Sequence, residues 1–256
     1  LSTSHLMRSR ESLVEMHSDS DPVYKIDDGV QEIYSLRCVP QILGPVLESL
    51  DKTSEIVETE MNSATDNPLV DWRNKVFLHG GNFHGDYIAS AMDELKSHLV
   101  RLIMLSERRI NFFLNEKINQ RFPPFLNLKQ PGLTLGLQGL QFVATSTAAQ
   151  SQSLAFPHRL HSISTNADNQ DVVSMGVESA LFAAKVVQNA YAVLAIELIT
   201  LAQAADILDK KEELSVSSRG LFEEVRSIFP KIEEDRFIGD ELQVLVSTIR
   251  QDSKFL

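Results

Sequence analysis

The sequence predicts an all-α protein built as a bundle of long helices. Apolar residues recur at helical spacing over long stretches, alternating strand-like patterns are sparse, and no repeat unit or Gly/Ser-rich linker divides the 256 residues. At this length one large domain is the expectation, with ample chain to bury a substantial core.

Taken in order, Leu43, Leu47, Leu50, Val57 and Met61 share one face of a first long helix. A second run places Ile88, Met92, Leu95, Leu99, Leu102 and Ile110 at helical steps, and Asp93, Glu94, Lys96 and Arg101 are expected on its other faces. Pro123-Pro124 then interrupts the pattern, because proline lacks the amide proton and restricts the residue before it. Residues 135–154 are rich in Ala, Ser, Thr and Gln, which fits either a closely packed helix or a loosely amphipathic surface helix. Residues 177–208 form another long helical pattern, apolar on most sides near 190–201, suited to a bundle centre or a subunit interface. Glu197 inside it reads as a structural carboxylate paired with a neighbouring subunit or a capping group. The tail, 210–256, has mixed charge and weaker periodicity and is expected to form shorter surface helices.

Composition narrows the function classes. A net charge of −11 argues against a nucleic-acid groove and against anionic membrane surfaces. The single cysteine, Cys38, excludes an intrachain disulfide framework and fits a reducing cytosol. No secretory leader is visible and no uninterrupted apolar run looks long enough to span a bilayer, so a cytoplasmic protein is expected. The opening Leu1-Ser2-Thr3-Ser4-His5 reads like the interior of a longer chain.

Three segments carry chemistry. In Gln31-Glu32-Ile33-Tyr34-Ser35-Leu36-Arg37, a helical spacing of three puts the Tyr34 phenol and the Arg37 guanidinium near one face. An adjacent positive charge favours the phenolate form of a tyrosine, and arginine matches a carboxylate with two fixed donors. The same pair also reads as ordinary tyrosine–arginine packing. Gly80-Gly81-Asn82-Phe83-His84-Gly85 implies tight turns holding an amide, an aromatic ring and an imidazole. The spacing of His79 and His84 matches no zinc pattern, so no metal is expected. Ser164-Thr165-Asn166-Ala167-Asp168-Asn169-Gln170-Asp171 is a polar cluster before a helical run; Ser164, Thr165, Asp168 or Asp171 would cap that helix, leaving the amides of Asn169 and Gln170 to bind a polar group. The set suits an α-amino acid with an aromatic side chain.

Together with Asn62-Ser63-Ala64-Thr65-Asp66-Asn67-Pro68, these segments resemble, in order, the motifs of the aromatic amino-acid ammonia-lyases: histidine, tyrosine and phenylalanine ammonia-lyases and the related aminomutases. Val39-Pro40-Gln41-Ile42-Leu43-Gly44 and His84-Gly85-Asp86-Tyr87 look closest to the bacterial tyrosine enzymes. The resemblance implies a bundle of the ammonia-lyase type, a homotetramer, and active sites assembled from three subunits. It implies that Tyr34 acts as base or proton relay, that Arg37 binds the substrate carboxylate and that Gln31 supports the site by hydrogen bonding. Phe83 would line the aromatic pocket, and Asn169 and Gln170 would contact substrate. Gln170 stands where histidine lyases usually carry glutamate, which fits tyrosine or phenylalanine better. The family's electrophile, methylideneimidazolone, is made from an internal Ala-Ser-Gly; these residues hold no such tripeptide, and the nearest string, Ala89-Ser90-Ala91, lacks the glycine. The chain is therefore expected to be the carboxy-terminal part of such an enzyme, inactive alone. Its expected reaction converts L-tyrosine, or L-histidine or L-phenylalanine, to the unsaturated acid and ammonia. An aminomutase and a non-catalytic helical assembly module are the alternatives.

Overall fold

The computed structural model describes residues 31–209 and 211–251. Their elements, in order, are α1 (Tyr34–Arg37), α2 (Val39–Met61), a hairpin of β1 (Leu69–Asp71) and β2 (Val76–Leu78), α3 (Asp86–Leu114), α4 (Glu116–Asn119), α5 (Gln138–Leu154), α6 (Gly176–Leu208), α7 (Val216–Ile228) and α8 (Gly239–Gln251). The all-α bundle expected from the sequence is the observed fold.

Helices α3 and α6 form the spine and run parallel. The hydroxyl of Ser174, just ahead of α6, donates to the carbonyl of His84, just ahead of α3, while Arg109 and Glu197 meet far along both helices. Two helices lie antiparallel to α3. In α2, Lys52 reaches Glu94 at 3.5 Å, and in α5, Gln141 and Thr145 bond Asn111 and Glu107. Between them Leu99, Ile103, Ile110, Val186, Val193, Ile196 and Ile199 are buried with Leu140 and Ala144. Each such large side chain contributes roughly 1.5–3 kcal/mol.

The composition of α5 resolves into the first of its two readings. Ala144, Ala148 and Ser151 are buried, and Ser151 accepts from Asn189 of α6 at 3.0 Å, so small residues permit close approach. The tail does more than cover the surface: Val225, Phe229, Leu242, Leu245 and Ile249 join the main core. The fully buried amide of Gln203 ties them in, donating to the carbonyl of Ile232 at 2.8 Å and accepting its N–H at 3.2 Å.

Four expectations need correction. A hairpin forms where no strand was anticipated, pairing Leu69 with Leu78, Val70 with Phe77 and Asp71 with Val76. Its turn is set by Asp71, whose carboxylate accepts the backbone N–H groups of Asn74 and Arg73; Asn74 holds that carboxyl below the ordinary range. Glu197 pairs within this chain, its Oε1 lying 2.5 Å from Nε of Arg109. Helix α6, by length and hydropathy, is long and apolar enough to cross a membrane, contrary to the sequence reading. Here it packs as a bundle helix, with Asn189, Glu197, Thr200 and Gln203 buried along it. Finally, Asp93 and Lys96 do not lie on a solvated face: they are 1% and 0% exposed.

Candidate active site

The site is built where α3 and α6 begin. After α2 ends, the side-chain N–H of Asn62 donates back to the carbonyl of Glu58 at 2.7 Å, and the chain leaves the bundle. The hairpin returns it, and the loop before α3 is pinned to the loop after α2. The N–H of Gly80 donates to Oδ1 of Asn67 at 3.0 Å, and Nδ2 of Asn82 donates to the carbonyl of Ala64 at 3.4 Å. Gly85 makes the final turn with φ +81°, a conformation costly for a residue bearing Cβ, and α3 starts at Asp86. A cleft of about 530 Å³ opens here, walled by Glu60, Thr65, Asn82, His84, Asp86 and Tyr87. Phe83, between Asn82 and His84 in the chain, is 48% exposed.

The polar cluster before α6 does not cap that helix. Met175 occupies the N-cap position in a left-handed conformation and makes no side-chain cap bond. Instead the cluster closes on itself. Thr165 and Gln170 exchange backbone bonds at 3.0 and 3.3 Å around Asn166, Ala167 and Asp168, all at positive φ, and the Ser164 hydroxyl donates to Asp168 at 2.6 Å. Asp171, the last capping candidate, lies ahead of the helix start with the others. The loop tip thus presents Asn169 and Gln170 exposed, with Gln170 Oε1 accepting from the Thr165 hydroxyl at 3.3 Å.

This loop is joined to the Phe83 loop. His84 Nε2 lies 3.0 Å from the carbonyl of Val172, and Ser174 donates to the carbonyl of His84 at 2.6 Å. Beneath both sits a buried charge cluster. Asp93 Oδ1 is 2.7 Å from Lys96 Nζ, which also donates to the carbonyl of Phe156 at 3.0 Å and lies over the Phe182 ring. The Asp93 Oδ2 accepts the Arg159 N–H at 3.1 Å and faces its guanidinium at 3.5 Å. Burial pushes the Asp93 carboxyl up, but the Lys96 hydrogen bond, the N–H groups of Arg159 and His158, and the Lys96 charge hold it below the ordinary carboxylate range. The cluster therefore fastens the start of the amide-bearing loop to α3. Sequence inspection missed it, although a signal existed: Asp93 and Lys96 lie on the same helical stripe as Ala89, Val100, Ile103 and Ile110.

Tyr34 and Arg37 do come together, as their spacing predicts. The Arg37 guanidinium lies 4.4 Å from the centre of the Tyr34 ring, and Tyr34 is 68% exposed. Gln31, also exposed, lies three residues before Tyr34. These residues are not near Phe83 or Gln170 within one chain. They precede α2, whose far end abuts the Phe83 loop, and 23 helical residues span about 34 Å at 1.5 Å each. Among the described residues, no group of three or more His, Cys, Asp or Glu side chains is placed to hold a metal.

Two parallel long helices thus carry a glycine-rich and an amide-rich loop at one end of the bundle. The sequence matches the family described as aromatic amino acid lyase over residues 4–227, and the chain belongs to that family. It is 39% identical over 222 residues to the tyrosine ammonia-lyase of Cupriavidus metallidurans, covering 87% of this chain and 42% of that protein. It is 40% identical over 222 residues to the histidine ammonia-lyase of Geobacillus kaustophilus, covering 87% and 44%. The phenylalanine aminomutase of Pantoea agglomerans superposes with a TM-score of 0.88 at 32% identity, over 98% of this chain and 52% of that structure. The chain thus spans about half the length of these relatives.

Proposed function

We propose that these residues form the carboxy-terminal portion of an ammonia-lyase that eliminates ammonia from an aromatic amino acid, L-tyrosine foremost, to give the unsaturated acid. L-Histidine and L-phenylalanine are the other candidate substrates. The observation that carries this reading is the outward-facing stack of Tyr34 and Arg37, a proton acceptor and a carboxylate clamp on one turn of helix. In the proposed reaction the Tyr34 oxygen takes a proton from the substrate carbon, and Arg37 grips the carboxylate through two donors. Gln31 supports them by hydrogen bonding. Phe83 faces the substrate ring, and the amides of Asn169 and Gln170 contact its polar groups. A neutral amide at 170 suits a phenol better than an imidazole, which a carboxylate would serve with a charge-assisted bond.

Methylideneimidazolone would supply the electron sink, and its Ala-Ser-Gly source lies outside these 256 residues. The residues present fit as its surroundings: the aromatic ring of Phe83 is exposed, free to face a planar group. Because Tyr34 and Phe83 lie at opposite ends of α2, the reading requires more than one copy per site, and a homotetramer is proposed. A reducing cytoplasm suits the free Cys38. Structural likeness to an aminomutase favours a second reading, in which the amine returns to the neighbouring carbon.

The test incubates the intact protein with tyrosine, phenylalanine and histidine, following acrylate absorbance and β-amino acid by chromatography. Acrylate from tyrosine is expected, β-amino acid would favour the mutase, and neither product would refute both. The 256-residue chain assayed alone is expected to give no product.

A further inference from the structure

We propose that His84 is a positioning residue, a clasp that holds the Phe83 loop against the Gln170 loop. This deepens the proposed function and rests on it.

The geometry is specific. Nε2 faces the carbonyl oxygen of Val172 at 3.0 Å, and Nδ1 faces Oδ2 of Asp86 at 3.3 Å. A carbonyl and a carboxylate only accept, whereas a neutral imidazole has a single N–H to give. The imidazolium serves both neighbours; either neutral tautomer must abandon one. The backbone of the same residue makes a third tie, its carbonyl accepting from Ser174 at 2.6 Å. His84 thus bridges segments 88 and 90 residues distant in sequence, directly next to Phe83. The neighbouring charged groups agree in sign: Asp86 and Glu60 share the cleft wall with His84, together with Tyr87, and Asp171 adjoins Val172 in the chain.

The consequence is that His84 sets the spacing between the Phe83 ring and the Gln170 amide without touching substrate.

The experiment uses the intact protein with His84→Ala and His84→Gln; the glutamine amide can still donate to Val172 but cannot reach both partners. Hydrogen exchange of residues 162–176 is expected to accelerate in both variants relative to the parent. The kcat/KM for the preferred aromatic amino acid should fall about tenfold in His84→Ala, as misplacement of binding groups does. In a Phe83→Ala background the further loss on removing His84 should shrink to less than about threefold, because coupled residues are not additive. Unchanged exchange in His84→Ala, or fully additive losses with Phe83→Ala, would overturn the clasp. If the parent turns over no aromatic amino acid, the proposed function fails, and exchange alone decides whether the clasp exists. Should His84→Ala not fold, the glutamine variant carries the same exchange comparison.

Discussion

At the heads of α3 and α6, the loops bearing Phe83 and Gln170 are braced by His84, by Ser174 and by the buried Asp93–Lys96–Arg159 cluster. At the head of α2, the phenol and guanidinium of Tyr34 and Arg37 ride on a helix of four residues and stack on one another. One region has its geometry fixed by long-range bonds inside the chain. The other is a small projecting element whose surroundings, on the proposed assembly, come from a second copy. On the proposed function, one fold separates holding from reacting: substitutions in the braced region should damage stability, and substitutions in the projecting one should damage chemistry.

The largest effect is expected from breaking the brace. Asp93→Ala leaves the fully buried Lys96 without its carboxylate and should cost about 3–5 kcal/mol of unfolding free energy, read from the urea midpoint at neutral pH. The isosteric Asp93→Asn separates charge from shape. Because the folded Asp93 carboxyl is held below its ordinary range, its stabilisation is present above the unfolded value and is lost as pH falls through the folded one. The stability curves of parent and Asp93→Asn should therefore converge on acidification, and a constant gap would remove Asp93 as an ionised brace.

Tyr34→Phe tests the other side. It should lower turnover by at least roughly a hundredfold, the scale of a lost acid–base group, while leaving the melting temperature nearly unchanged because the side chain is mostly exposed. A large drop in melting temperature with normal turnover would reverse the assignment of the two regions. Arg37→Lys keeps the charge but loses the planar pair of donors, and should weaken binding of the substrate by about 1–3 kcal/mol. The amide of the same substrate should bind parent and variant equally; equal losses for acid and amide would make Arg37 a packing residue.

Much of the fold was legible because helical periodicity is long-range and repetitive. Helix α6 was placed within one residue at its start, but the prolines do not end the second long helix: α3 stops at Leu114, well before Pro123, and Pro124 opens a single 3-10 turn. The hairpin was not legible, as strands of three residues are too short to show alternation. Binary patterning also placed Asp93 and Lys96 outside, because it assigns charge to solvent and cannot see that two charges satisfy one another. Of the candidate site, the Tyr34–Arg37 pairing followed from spacing alone. The closed Thr165–Gln170 turn did not, because any of its polar residues could equally have capped a helix.

The length of α2 has a genetic consequence. If each site draws Tyr34 from one copy and Phe83 from another, a defect at one position and a defect at the other need not fall in the same site. Two alleles, each dead by itself, would then complement when expressed together. In mixed tetramers formed from equal amounts, about one site in four would inherit neither lesion.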